Sequence, residues 1–161
     1  MPIVGYRPQL VRSGNGFVAH LSVPEGNAAD SPQLVESIDA AIRRTDCGPI
    51  EVSVDDGYAS KTGLEALCAL GIERVGISGS KGKKLIGIED WESPEYRQAR
   101  NDRSAVESLM FTLKYTVHFG RLRRRGIKAV RCELLEKVIA YNFARMVVLE
   151  DRGKRKLPLA A

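Results

Sequence analysis

Four charged positions make the strongest case for chemistry in this chain. Asp55 follows Val52 and Val54, an apolar alternation that reads as a short strand, and precedes Asp56-Gly57-Tyr58. A carboxylate at a strand's carboxyl end can hold a divalent ion, and Mg²⁺ needs only one or two carboxylates because it keeps several waters. The competing reading is structural, since Asp-Gly is a common turn pair. Arg103, Glu107 and Lys114 form the second group. At 100° per residue they fall along one line some 60–100° from Val106, whose partners Met110, Leu113 and Val117 outline a buried helix face. A cation, a carboxylate and another cation then border the core, as in a phosphate-handling site or a surface ion-pair ladder. Ser104 to Glu107 also fits a capping box, in which Glu107 merely reaches back to the first helical amide. A helix that begins at Asn101 or Asp102 excludes that box. If the acids work together, their carboxylates lie within about 8 Å, because paired metal ions sit some 3.5–4 Å apart.

Positive charge is the other resource. Lys81, Lys83 and Lys84 crowd into Gly79-Ser80-Lys81-Gly82-Lys83-Lys84. This is not a nucleotide-binding P-loop, which needs glycine where Ile77 stands and serine or threonine where Lys84 stands. It reads as a mobile basic turn whose lysines can meet a phosphate backbone. Residues 1–120 hold 13 Lys/Arg against 16 Asp/Glu, whereas residues 121–161 hold 12 against 4. The basic end opens with Arg121, Arg123, Arg124, Arg125, Lys128 and Arg131. Such a cluster binds DNA by releasing counterions, or is simply a solvated face.

The elements that must position these groups follow from periodicity. Phe17, Ala19, Leu21 and Val23 alternate with Val18, His20 and Ser22, and residues 3–12 supply a hairpin partner across Gly14-Asn15-Gly16. Pro8 points to a bulge or an exposed edge. A helix starts at Asp30-Ser31-Pro32 and ends before Gly48-Pro49. Residues 50–54 and 72–77 read as strands joined by a helix over about 61–70, which Gly71 closes. Ser93-Pro94 starts another helix, and longer ones cover about 102–119 and 128–150. A strand, a crossover helix and a second strand pair in parallel, which brings Asp55 and the 79–84 loop to one sheet edge. With 161 residues, 43% hydrophobic and 28% charged, the chain suits one globular α/β domain. Cys47, Cys68, Cys132, His20 and His118 lie too far apart for a zinc finger. No apolar run approaches the ~18 residues of a membrane span. The amino terminus lacks the pattern of a signal peptide, which points to a cytoplasmic protein.

Two blocks are familiar. Val54-Asp55-Asp56-Gly57-Tyr58-Ala59-Ser60 resembles the second catalytic aspartate motif of the DDE transposases of bacterial insertion sequences. Arg103, Glu107 and Lys114 resemble their Arg-x3-Glu-x6-Lys signature. Residues 100–111 and 133–145, the latter with Ala140-Tyr141-Asn142-Phe143, are similar to one group of these enzymes, and the likeness reaches about Arg152. Arg100 stands where the signature usually has tyrosine. The family's first catalytic aspartate lies on a strand before a Gly-Tyr-Lys/Arg-Pro segment, and here Gly5-Tyr6-Arg7-Pro8 nearly begins the sequence.

The resemblance implies an RNase H-like mixed sheet flanked by helices and lacking its first strand, with a gap or unpaired edge beside residues 50–55. Residues 1–120 would be the catalytic-core remnant, 121–150 a basic helical segment of the same domain, and 151–161 a disordered tail. It implies Mg²⁺, with Mn²⁺ as an alternative, held by Asp55 and Glu107, and cleavage and strand transfer at transposon ends. Arg103 and Lys114 would position phosphate, joined on DNA by Lys81, Lys83, Lys84, Arg121, Arg123, Arg124 and Arg125. Loss of the first aspartate implies an impaired transposase fragment at the bacterial nucleoid. The alternatives are a non-catalytic DNA-binding or regulatory fragment that joins full-length transposase or itself, and a separate nuclease that borrows another carboxylate.

Overall fold

The computed structural model describes residues 6–25 and 30–156. Strands β1 (Gln9–Arg12) and β2 (Val18–Ser22) form the expected antiparallel hairpin, with a bulge at Val11/Arg12 rather than at Pro8. The turn closes through Ser13, whose amide donates to the Phe17 carbonyl and whose hydroxyl accepts the Phe17 amide. Residues 3–5 of the expected partner strand lie outside the described residues. β2 departs from simple alternation: Val18, His20, Leu21 and Val23 are all buried. Helix α1 (Asp30–Thr45) and helix α7 (Ile127–Lys156) both pack on this strand. Burial, and after it the charge of Arg44, holds the His20 pKa below its ordinary value.

β3 (Glu51–Val54) and β4 (Arg74–Ile77) pair in parallel, Val54 opposite Ile77, with α2 (Lys61–Ala69) as the crossover. Ser60 caps α2 by accepting the Gly63 amide, and Gly71 turns the chain at φ +85°. The four strands form two separate pairs rather than one mixed sheet. Among the described residues no second strand pairs with β1 on the side away from β2, or with β3 on the side away from β4.

Residues 80–86 correct the expected mobile turn, because they form helix α3 (Ser80–Ile86). It is followed by α4 (Ile88–Glu92), α5 (Pro94–Asn101) and α6 (Ser104–Thr116). The expected 102–119 helix is therefore shorter at both ends, while α7 runs six residues past its expected end at 150. The rest of the expected tail, 157–161, lies outside the described residues. Two cores result. One gathers Leu34 and Ile38 of α1, Val52, Val54, Leu67, Ile72, Val75 and Ile77. The other joins Val18, Leu21 and Val23 to Leu109 and Leu113 of α6 and Val130, Leu134 and Val138 of α7.

Candidate functional site

Asp55 stands one residue past β3 and caps a single 3₁₀ turn (Asp56–Tyr58), its Oδ1 accepting the Asp56 amide at 2.7 Å. Asp56 turns the other way. Its Oδ1 accepts the Lys81 and Gly82 amides, each at 2.9 Å, satisfying two orphan donors at the start of α3. The approach is so close that a Cβ on Gly79 would meet the Asp56 carboxyl carbon at 2.5 Å. One aspartate of the pair holds the fold together, and Asp55 is the one that lines the adjoining groove.

The second acid is delivered by α5 and α6. The Tyr96 hydroxyl accepts the Ile77 amide at 2.9 Å, and Ser53 Oγ donates to the Ala99 carbonyl at 2.5 Å. Ala99 sits against Gly76, where a Cβ would lie 2.8 Å from the Ala99 carbonyl carbon. These contacts lock α5 on the parallel strands. Arg100, in the place where tyrosine is usual, lies 4.0 Å from the Trp91 ring centroid and donates to the Trp91 carbonyl. Asp102 and Arg103 keep helical dihedrals, and α6 opens at Ser104. The helix thus begins later than expected, yet the capping box does not form. Ala105 and Val106 bond back to the Asp102 and Arg103 carbonyls, and no side chain caps this end. Leu109 and Leu113 carry the buried face of α6, while Val106 and Met110 are half-buried on the groove side, a correction to the sequence-based face.

Arg103 joins the two acids. Its Nη2 lies 2.8 Å from Glu107 Oε1 and 3.7 Å from Asp55 Oδ2, so those oxygens are no farther apart than the two legs together, 6.5 Å. That is inside the expected 8 Å. The Asp55 and Glu107 side chains are 56% and 65% exposed, open to an incoming ion or phosphate. They share a groove of about 1000 Å³ with Lys114, lined by β1, β3, α1 and α6. Two carboxylates at this separation suit Mg²⁺, which completes its shell with water and substrate oxygens. A guanidinium between them already marks the position as one that stabilises positive charge. Among the described residues no group of three or more His, Cys, Asp or Glu side chains could hold a metal ion.

The remaining basic residues lie elsewhere. Lys81, Lys83 and Lys84 are exposed on α3 and do not line the groove. Arg121, Arg123, Arg124 and Arg125 are exposed on the loop before α7. That loop is organised by a residue whose role the sequence did not disclose. Buried Glu133 accepts the Arg123 and Arg124 amides, each at 2.9 Å through Oε2, and pairs with Lys137 at 3.0 Å. The Arg124 amide first, then Lys137 and the Arg123 amide, hold its carboxyl at about 2, below its ordinary 4.5, against the opposing effect of burial. Lys137 Nζ also donates to the His118 and Arg121 carbonyls. One turn further along, Asn142 grips both the amide and the carbonyl of Val18, Tyr141 donates to the Gly16 carbonyl, and Arg145 donates to that of Asn15. The 133–145 block therefore clamps the basic loop and the hairpin to one helix.

The family model of the transposase DDE domain matches residues 3–143, from before the hairpin to the middle of α7. The chain belongs to that family. No curated protein and no solved structure matches it. The matched residues include both cores and the Glu133-anchored loop. Among the described residues no helix is long and apolar enough to cross a membrane.

Proposed function

We propose that Asp55 and Glu107 of this transposase-family chain are two metal ligands of DNA transposition chemistry, on an RNase H-like framework whose described strands stand as two separate pairs. The observation that carries this reading is the Arg103 guanidinium within ion-pair distance of both carboxylates at one groove. Asp55 and Glu107 would hold Mg²⁺ or Mn²⁺, which when bound polarises a phosphodiester and activates the attacking oxygen for in-line displacement. Arg103 would then turn from the carboxylates to a phosphate, which a planar two-pronged donor suits. Lys114 would bind the adjoining backbone, and the α3 lysines and the 121–125 arginines would hold flanking DNA at the bacterial nucleoid. Residues 1–120 and the basic segment 121–150 act as one domain in this reading. Among the described residues no third carboxylate joins Asp55 and Glu107 in a group that could hold a metal ion, and in this reading cleavage and strand transfer are impaired.

Strands β1 and β3 both border the groove, and among the described residues neither pairs with a second strand there, which favours a second role, association with full-length transposase as a regulatory fragment. Mn²⁺ titration followed by electron paramagnetic resonance tests the first reading. The wild-type chain is expected to bind the ion, and Asp55→Asn and Glu107→Gln each to weaken binding by more than the ~10-fold that loss of an outer-shell partner costs. Wild-type protein that binds no Mn²⁺ would remove the assignment. Metal-dependent nicking of supercoiled plasmid by the chain alone would replace impairment with the nuclease alternative, and co-purification with full-length transposase would support the regulatory role.

A further inference from the structure

Helix α7 is apolar on two opposite faces, and only one of them is covered. Val130, Leu134 and Val138 enter the core. On the far side Leu135, Ile139, Phe143 and Met146 are exposed, Ile139 by 54% and Phe143 by 62%. A helix with apolar residues all round is normally buried all round. The exposed stripe also has an order that scattered surface residues lack. Lys128, Cys132, Leu135, Ile139, Phe143, Met146 and Glu150 follow one another at spacings of four, three, four, four, three and four. At 100° per residue all seven fall within about 80° of the helix circumference. The spacing reads the same in both directions about Ile139, and the two ends carry opposite charge.

We propose that this stripe is a self-complementary interface that pairs two copies of the chain through antiparallel α7 helices, with Ile139 on the two-fold axis. A two-fold interface sets the same patch against itself, so that residue i meets j and j meets i. About Ile139 that relation places Leu135 against Phe143, Cys132 against Met146 and Lys128 against Glu150. Spacings of three and four form the seam of paired helices, and the two successive fours at Ile139 locally unwind the supercoil. The charges select the direction, since a parallel pair would set Lys128 against Lys128 and Glu150 against Glu150. From Lys128 to Glu150 the seam is about 33 Å long at 1.5 Å per residue. This pairing uses neither the carboxylates nor the strand edges, and it stands whether or not the metal reading holds.

Velocity sedimentation of the full chain is expected to show a dimer, and Ile139→Lys a monomer with unchanged helicity and a urea midpoint that, unlike the wild type's, does not rise with protein concentration, because the substituted side chain is exposed in the single copy. Lys128→Glu and Glu150→Lys should each weaken the dimer, and the double variant should restore it. In a background of Cys47→Ser and Cys68→Ser, adding Met146→Cys should give an intermolecular disulfide to Cys132, absent from the parent. A monomeric wild-type chain would overturn the proposal. So would a dimer that survives Ile139→Lys, or cross-linking through Cys132 alone, which marks a parallel pair.

Discussion

Neighbouring acids in this protein have opposite tasks, and the division follows from what each can reach. Asp55 lies at the end of β3, beside the next amide and a shared guanidinium. Asp56, one position on, is spent on two amides of α3. Glu133 is the extreme case, a buried carboxylate held by two amides and a lysine. Its pKa is about 2 in the folded chain against an ordinary 4.5, so the unfolded state binds the proton more readily. The stability it contributes is fully present above pH 4.5 and is lost as pH falls from there through about 2. Melting temperature measured across that window should drop steeply for the wild type. For Glu133→Gln it should start lower at neutral pH and slope less, and an unchanged slope would show that the carboxylate is not charged when folded. None of this was legible from one sequence. Asp55 and Glu107 could be singled out because their spacing resembles a motif, whereas Glu133 and Asp56 gain their roles from partners that only the fold supplies.

Most elements were legible, because each is written locally. The hairpin turn, the Gly71 turn after α2 and the Ser93-Pro94 start all use residues within a few positions of the backbone they serve. Helix α3 was not legible. Gly79 and Gly82 lower the intrinsic tendency of this stretch to be helical, and its first amides are satisfied by Asp56, 25 residues before Lys81 in the chain. The start of α6 was placed two to three residues early for a related reason. Backbone carbonyls rather than a capping side chain serve the first amides of α6, so no sequence signal marks the boundary. The cap on α3 gives a direct test. Asp56→Ala should destabilise the protein by about 1 kcal/mol in urea unfolding, within the usual range for losing such a cap. Asp56→Asn, which keeps an acceptor oxygen, should retain most of that stability. Equal losses in the two variants would mean that charge rather than capping holds α3.

At the scale of the whole molecule, the open groove is the feature from which the rest follows. Among the described residues β1 pairs with β2 and β3 with β4 and with no further strand, and the other edges of β1 and β3 border the same 1000 Å³ space beneath α1 and α6. An unpaired backbone group buried away from water costs about 1–3 kcal/mol, so a dry groove could not leave both edges unsatisfied. The edges must be wetted, or paired with an extended segment from another chain. Hydrogen exchange separates these states. Amides of β3 and β1 that face the groove should exchange quickly in the isolated protein, while those that bond within the β3–β4 ladder and the hairpin exchange slowly. When full-length transposase is added, the groove-facing amides should become protected if the regulatory reading holds, because a strand then occupies the space. That protection should persist in Ile139→Lys, since pairing through α7 leaves the groove untouched. Slow exchange at every β1 and β3 amide of the isolated Ile139→Lys chain would show instead that the two strand pairs close on each other in solution, leaving no place for an incoming strand.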